Sequence, residues 1–318
     1  MDLQILFNSL PGAISQGLIW GIAGIGVYIS YKILDIADMT CDGIFATGGA
    51  TCIMLMLSGH SIAFSLIMSF IVGMLGGLVT ALLQTLLGIP AILSGILTQL
   101  ALYSINLKIM GGKANLPINS NNYNLLVSLR NVKSLNILNN TIFISLIITA
   151  IIIIIFYWFF GTEFGCTIRA TGKNPDMCKA QGININTNKI IGLVLSNGTI
   201  AFSGALLSQY QGFADVQMGR GAIVIGLAAI VIGEALFKSI FKNFGLKLLG
   251  VSIGSIIYYL VLQLVIWRGL DPTMLKLFSA IIVAVFLSIP YIKNNIHQNL
   301  QIKHSHNKHN VDITKEEN

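Results

Sequence analysis

Charged side chains are scarce in this chain of 318 residues. Only 19 lysine and arginine and 12 aspartate and glutamate residues are present, which is 10% of the sequence, while 54% is hydrophobic. Soluble globular proteins carry about 25% charged residues. The mean hydropathy of +0.79 agrees with this imbalance. The composition therefore disfavours a soluble enzyme, a nucleic-acid-binding protein and a secreted disulfide scaffold. It favours a protein that is embedded in a lipid bilayer.

Several motifs of catalysis and binding are also missing. No G-x-x-x-x-G-K-[ST] sequence is present, so the chain is not expected to hydrolyse ATP itself. No H-E-x-x-H motif or nucleophile–base pattern stands out, and neither a metal nor a cofactor is expected. No basic block of five or more residues occurs, so the net charge of +7 does not indicate nucleic acid. The cysteines lack C-x-x-C spacing and are expected to be free thiols: Cys41, Cys52, Cys166 and Cys178.

Long apolar stretches recur along the chain with polar breaks between them. A membrane-spanning helix needs about 20 apolar residues, so the sequence predicts an all-α, polytopic integral membrane protein with about 8–10 transmembrane helices. These helices form one transmembrane domain at 1–291, followed by a polar, disordered tail at 292–318 in which His304, His306 and His309 are expected to be solvated. Segments 43–58 and 220–237 are short and rich in small residues, so each is either a span or a re-entrant segment. The nine candidates are 9–31, 43–58, 61–87, 89–109, 140–160, 189–210, 220–237, 247–267 and 273–291.

The candidate segments differ in composition. Segment 140–160 has large and β-branched side chains and ends in an aromatic run, which is typical of a lipid-facing helix with an interfacial belt. Glycines four residues apart, at 17–21 and 73–77, predict close packing between helices. With loop 161–188 in the cytoplasm, 12 of the 19 basic residues fall inside, which predicts an external N-terminus and a cytoplasmic C-terminus. No clear internal repeat is seen in the sequence.

The polar loop 161–188 carries the signals of a short helix. Asn174 is a favoured N-cap, Pro175 suits the first helical position, and Asp176 complements the helix dipole. Lys179 lies near the other end, and Gly182 is placed to stop the helix. A helix of about two turns is predicted at 175–181, and it is too short to be stable alone in water. It is therefore either an ordinary capped connector or a coupling helix that docks on a partner ATPase.

The stretch from Arg169 to Gly233 resembles the permease subunits of bacterial ABC importers of the branched-chain amino acid and ribose class. RATGKNPDMCKAQGIN is similar to the coupling loop of that family, RA-x-G-x-N-P-x-x-A-x-x-x-G-I. Cys178 departs from the pattern, since it replaces a small residue that is usually alanine. The resemblance implies that the ATPase-coupling residues are Arg169, Ala170, Gly172, Asn174, Pro175, Asp176, Ala180, Gln181 and Gly182.

Three other stretches, at 28–43, 96–111 and 192–219, resemble a subgroup of these permeases associated with tryptophan or related amino acids. The resemblance implies a subunit that forms the translocation path for a small solute, an amino acid and in particular an aromatic one. It also implies a pair of ABC ATPase subunits, a second permease copy, an extracytoplasmic substrate-binding protein, and the lipid of the bacterial cytoplasmic membrane as partners. Two alternatives stay open: an ABC permease for a sugar or nucleoside, and a secondary transporter driven by an ion gradient.

Polar side chains inside the predicted spans are candidates for that path, because polar groups are costly to expose to lipid. The candidates are Gln99, Asn106, Asn197 and Gln209. Each of these amides either lines the path or forms a hydrogen bond between helices.

The acidic residues beside the spans favour structural roles. Asp35, Asp38 and Asp42 follow the first span, and they favour a solvated interface in which Asp42 caps the next helix. An acid–base or cation site is the alternative. Glu234 lies four residues before Lys238, which is the favourable order for an ion pair within one helix.

Overall fold

Helices dominate the structure. The computed structural model describes residues 3–119, 123, 125–133, 140–237 and 243–269, with scattered positions between 274 and 288. The helices are α1 (Leu3–Val27), α2 (Cys41–Leu57), α3 (Ile62–Thr85), α4 (Ala91–Ile109), α5 (Thr141–Gly161), α6 (Glu163–Lys173), α7 (Pro175–Ala180), α8 (Ile185–Gln211), α9 (Ala222–Phe237) and α10 (Phe244–Trp267). A π-helical turn (Tyr28–Ile33), a 3₁₀ turn (Leu129–Lys133) and the strands β1 (Asn115–Pro117) and β2 (Phe213–Asp215) complete the described elements.

Within the described ranges, six segments are long and apolar enough to cross a membrane: Leu6–Ile33, Ile62–Thr85, Ala91–Ile109, Thr141–Gly161, Ile185–Gln211 and Phe244–Trp267. Two shorter apolar helices, α2 and α9, occupy the predicted segments 43–58 and 220–237. The predicted all-α, polytopic membrane fold is therefore confirmed. The ninth predicted span, 273–291, lies mostly outside the described residues, as does the tail at 292–318 with its histidines.

Helix α2 lies in the interior of the helix bundle. Its small residues allow this position, because a Cβ on Gly48 would meet the backbone of Ala201 in α8. Likewise, a Cβ on Gly204 of α8 would meet the backbone of Phe45 in α2. Glycines bring two membrane helices into direct backbone contact in this way. Thirteen of the 17 residues of α2 are buried, so this helix is enclosed mainly by protein.

The packing of the helices follows the same pattern in two parts of the chain. Helix α3 packs along α8, and α10 packs along α1; α2 lies against α3 and α8, and α9 lies against α10 and α1. Helices α1 and α8 cross in opposite directions, since Tyr210 and Ser203 of α8 donate hydrogen bonds to the carbonyls of Gly12 and Ile19. The units α1–α3 and α8–α10 thus form an inverted structural repeat, a common device of membrane transporters that the sequence did not reveal.

The predicted close packing at the glycine pairs is confirmed. A Cβ on Gly73 of α3 would meet Ala201 of α8. On the other side of the repeat, a Cβ on Gly17 of α1 would lie 2.7 Å from the Cα of Ile256 in α10. Any larger residue at these two positions would force the paired helices apart.

Helix α5 is the most exposed of the six long helices, with 22% of its most apolar window buried. Its aromatic end includes Trp158, which is 72% exposed. This exposure agrees with the predicted lipid-facing position. At the opposite end of the bundle, β1 and β2 pair antiparallel and tie the loop after α4 to the turn after α8.

Candidate functional site

The predicted short helix is present as α7 (Pro175–Ala180), and the residues predicted to begin and end it lie at its two ends. The side chain of Asn174 accepts a hydrogen bond from the amide of Met177 at 3.0 Å, and Pro175 is the first helical residue. Gly182 has a φ of +77°, and the amide of Ile183 donates to the carbonyl of Cys178 at 3.0 Å. This arrangement satisfies backbone groups at both ends of α7 with hydrogen bonds, which stabilises the helix despite its length.

Helix α6 carries Arg169, Ala170 and Gly172, which the sequence analysis placed in an open loop. Its N-cap is Thr162, whose hydroxyl accepts from the amide of Gly165 at 3.3 Å. The sequence analysis missed this helix, although Thr162, an acidic first turn and a basic last turn are ordinary helix signals. The candidate residues of the coupling loop therefore lie on two consecutive helices joined at Asn174.

Helix α6 is attached directly to the core of the bundle. A Cβ on Gly172 would meet the carbonyl oxygen of Ile33, in the π-helical turn that ends the first span. Behind it, Asn188 of α8 donates to the hydroxyl of Thr171 at 2.8 Å. Ile168 is fully buried. A force applied to α6 therefore acts directly on the backbone of the first span at Ile33, and it acts on α8 through the hydrogen bond between Thr171 and Asn188.

Helix α7 exposes nearly all of its surface. Cys178 is fully buried and anchors the helix. The neighbouring Met177 is 44% exposed. The predicted coupling residues beyond α6 form one exposed, capped surface: Asn174, Pro175, Asp176, Ala180, Gln181 and Gly182. A short helix that packs against the bundle on one side and is exposed on the other is suited to fit a groove on a partner.

Asn197, a predicted path residue, lies fully buried within α8. Its Nδ2 donates to the carboxylate of Asp38 at 2.7 Å and to the carbonyl of Leu193 at 3.0 Å. The other oxygen of that carboxylate accepts from the amide of Thr40 at 2.9 Å. Asp38 is 1% exposed, so the prediction of a solvated interface at this residue is wrong. The interaction with Asn197 compensates the carboxylate for the loss of water.

The remaining path candidates have different environments. Gln209 is fully buried, accepts from the amide of Leu126 at 3.2 Å and donates to the sulfur of Cys52 at 3.3 Å. Asn106 is fully buried, and its Nδ2 donates weakly to a carbonyl of α2 at 3.4 Å. Gln99 is partly exposed on α4. Among the described residues, the Oδ1 atoms of Asn106 and Asn197 accept no hydrogen bond.

Asp42 has a role that differs from its prediction. It lies in the first turn of α2, and the residue before that helix is Thr40, whose side chain makes no cap. The Asp42 carboxylate instead accepts from the amides of Gly221 and Ile223 at 2.9 and 3.2 Å. These amides begin α9, so Asp42 caps a different helix from the one predicted. The first turns of α2 and α9 consequently meet inside the bundle, which joins the two interior helices end to end.

Glu234 forms an ion pair with Lys32 of the first span. The Nζ of Lys32 lies 2.9 Å from the Glu234 carboxylate, and the two side chains are 45% and 40% exposed. Lys238, the predicted partner, lies outside the described residues. The ion pair links the end of the first span to the end of α9.

The described residues contain no group of three or more histidine, cysteine, aspartate or glutamate side chains placed to hold a metal ion. Several buried polar side chains form hydrogen bonds between helices, and the polar residues of α7 are exposed. Residues 10–289 match the family model described as branched-chain amino acid transport system, permease component. The chain belongs to this permease family. The likeness stated for the coupling loop therefore extends over almost the whole chain.

Two relatives align with this permease over nearly their full length. It is 39% identical over 281 residues to a tyrosine transport system permease protein of Clostridioides difficile, covering 88% of this chain and 91% of that protein. It is 32% identical over 287 residues to an uncharacterized protein of Rickettsia prowazekii, and the alignment covers 88% of this chain and 97% of that protein. An autoinducer 2 import system permease protein of Yersinia pestis is 28% identical over 62% of this chain and 54% of that protein. No solved structure matches the chain.

Proposed function

We propose that this permease is the membrane subunit of an ATP-driven importer of an aromatic amino acid in the bacterial cytoplasmic membrane. It would act with a pair of ATPase subunits, a second permease copy and an extracytoplasmic binding protein. The observation that carries the proposal is the bare, doubly capped helix α7, which is joined rigidly to the bundle through α6. An importer needs such an element, since closure of the ATPase pair has to move the membrane helices.

The contacts of α6 suggest how that motion would travel. Displacement of α6 acts on Ile33 through Gly172, because no side chain separates the two backbones. The chain then continues to Asp38, whose carboxylate holds Asn197 of α8. Motion at the docking surface would thereby reach the middle of the bundle through backbone contacts and one short hydrogen bond.

The translocation path is proposed to open along the interior amides. Asn106 and Asn197 each have an unbonded side-chain oxygen among the described residues, and Gln209 lies at the far end of α8. Gln99 on α4 is already partly exposed. When the helices separate, these amides would present hydrogen-bonding groups to a polar solute that crosses an otherwise apolar bundle.

The proposed substrate class rests on the relatives. The Clostridioides difficile protein, whose name assigns it to tyrosine transport, aligns over 91% of its length, whereas the autoinducer permease aligns over 54% of its own. An aromatic amino acid is therefore favoured over a sugar or another small solute. Selectivity would be determined largely by the binding protein, which meets the solute first.

Uptake by a reconstituted system tests the proposal. The permease, its ATPase and its binding protein are placed in vesicles, and uptake of radiolabelled tyrosine, tryptophan, leucine and xylose is compared. ATP-dependent uptake of the aromatic amino acids is expected. Uptake that persists with a hydrolysis-deficient ATPase and collapses with the ion gradient would overturn the ATP-driven mechanism. ATP-dependent uptake of xylose alone would overturn the substrate class.

A variant of the docking surface tests the role of α7. Met177→Asp places a charge on its exposed apolar residue and should abolish copurification of the ATPase with the permease. Asn186→Asp is the matched control, because Asn186 is an exposed residue of the first turn of α8. Equal copurification of the ATPase with both variants would contradict the assignment of α7.

A further inference from the structure

A pocket of about 410 Å³ opens where α5 ends, between the ends of α5, α6 and α10. Most of the described residues that line it are aromatic, and one of them, Arg169, is charged. Tyr157 and Trp158 are 56% and 72% exposed. The lining residues are Tyr157, Trp158, Phe160, Gly161, Thr162, Arg169 and Phe244. Exposed tyrosine and tryptophan at the end of an apolar helix mark the depth of lipid headgroups.

Arg169 lies over the ring of Phe244, with 5.2 Å between its Cζ and the ring centroid. Its side chain is exposed, and among the described residues its guanidinium makes neither an ion pair nor a hydrogen bond. A guanidinium held on an aromatic face keeps its N–H donors available in a fixed plane, and phosphate is the group that this fork binds best. The side chain is thus oriented, and no described residue supplies it with a partner of opposite charge.

The surroundings of Arg169 favour an anion. Asn243 precedes α10 without a side-chain cap, so the first amides of that helix add positive potential beside Phe244. Lys247 follows in the first turn of α10 and is exposed. The nearby carboxylate of Glu234 is paired with Lys32 at 2.9 Å. Basic pockets of this kind between membrane helices bind anionic lipid headgroups.

We propose that this pocket binds the phosphate of an anionic phospholipid, through Arg169 and the uncapped amides of α10, with the acyl chains lying along exposed α5. A lipid is favoured over an ATPase surface because the pocket opens beside α5, the most exposed of the long helices, and is walled by its interfacial aromatic residues. The surface that faces a partner is on α7. The proposal does not depend on the identity of the substrate or on the ATPase.

Quenching of Trp158 fluorescence by brominated phospholipids tests the site. The full-length permease is reconstituted with brominated phosphatidylglycerol or brominated phosphatidylcholine, and the contribution of Trp158 is obtained by subtracting the signal of W158F. This subtraction removes Trp20, which is 4% exposed, and Trp267 at the far end of α10. The anionic lipid should bind about fivefold more tightly than the zwitterionic one, the factor expected for one basic residue at an anionic surface.

Matched variants identify the residue. R169Q should reduce the preference to about one, R169K should keep most of it because the charge remains, and K179Q, an exposed lysine on α7, should leave it unchanged. Unchanged preference in R169Q would overturn the proposal, as would displacement of the lipid by inorganic phosphate, which would indicate a site for soluble anions. Loss of ATPase copurification in R169Q with an intact lipid preference would assign Arg169 to the subunit interface instead.

Discussion

Exchanging the two side chains of the Asp38–Asn197 pair gives a sharp test of the interior of the bundle. In Asp38→Asn, the new amide keeps its oxygen on the amide of Thr40 and presents an N–H group to the N–H group of Asn197. A buried donor without an acceptor costs about 1–3 kcal/mol. In Asn197→Asp, two carboxylates face each other, and unit charges at about 4 Å repel by about 4 kcal/mol at an effective dielectric constant of 20.

The double exchange, Asp38→Asn with Asn197→Asp, should restore part of the lost stability, because the Leu193 carbonyl still loses the donor that Nδ2 of Asn197 supplies. The amide at position 38 then donates to the carboxylate at position 197, so that the bond runs in the opposite direction with the same groups. We expect the double variant to be more stable than the sum of the single losses by about 2 kcal/mol or more, as for other directly bonded pairs. With an unfolding entropy of about 2.1 cal/mol/K per residue over 318 residues, about 2 kcal/mol corresponds to about 3 °C in the unfolding temperature.

Thermal unfolding of the purified permease in detergent measures these differences, and ATP-dependent uptake is measured on the same four proteins. Asp35→Asn is the control, because Asp35 lies exposed in the same connection and its φ of +56° suits asparagine. Additive losses in the double variant would refute the argument, since they would show that the two side chains stabilise the bundle independently. Recovery of stability without recovery of uptake would show that the direction of the hydrogen bond matters for transport.

Four further changes test single features. Gly182→Val should uncouple ATP hydrolysis from uptake, because a φ of +77° strains a β-branched residue by about 1–2 kcal/mol. Gly182→Asn is the control and should transport normally. Coupled transport by the valine variant would contradict the prediction. Gly172→Val should lose ATPase copurification, because its side chain meets the first span, and retention would argue against that contact. Asp42→Ala should lower stability by about 1–2 kcal/mol in thermal unfolding through the uncapped α9, and no loss would contradict the cap. Lys32→Gln and Glu234→Gln should each cost below about 1 kcal/mol, since the pair is partly exposed, and a larger loss would reveal a further role.

Local signals predicted α7 because everything that forms it lies within ten residues. The cap at Asn174, the stop at Gly182 and the intervening turns depend on neighbouring residues alone. The same rules apply to α6, where Thr162 caps and Ile168 faces the core, yet the polar composition of 161–188 was interpreted as a loop. A polar helix at a membrane surface resembles a loop in hydropathy, so its capping residues are the better guide.

Distant pairings could not be predicted because their partners are far apart in the sequence. Asp38 and Asn197 are separated by 159 positions, and Lys32 and Glu234 by 202. No local rule selects such a partner, so the sequence favoured the nearest candidates: solvent for Asp38 and a helical neighbour for Glu234. The inverted repeat that brings these segments together is a property of helix packing, which the sequence expresses only as scattered glycines.

The short connection after the first span lies between the residues proposed for ATPase docking and those proposed for the translocation path. Ile33 touches α6 at Gly172, and the next residue, Leu34, fills the space left by Gly192 of α8. Seven residues later the chain reaches α2 at Cys41, and Asp42 in its first turn holds the start of α9. The backbone of Gly172 lies against that of Ile33, and the backbone of Gly192 lies against the buried side chain of Leu34. Helix α6 therefore cannot shift as a rigid body unless the connection moves with it or these contacts break. We therefore expect that lengthening the connection, rather than weakening α7, is the change that would leave ATPase docking intact while abolishing transport.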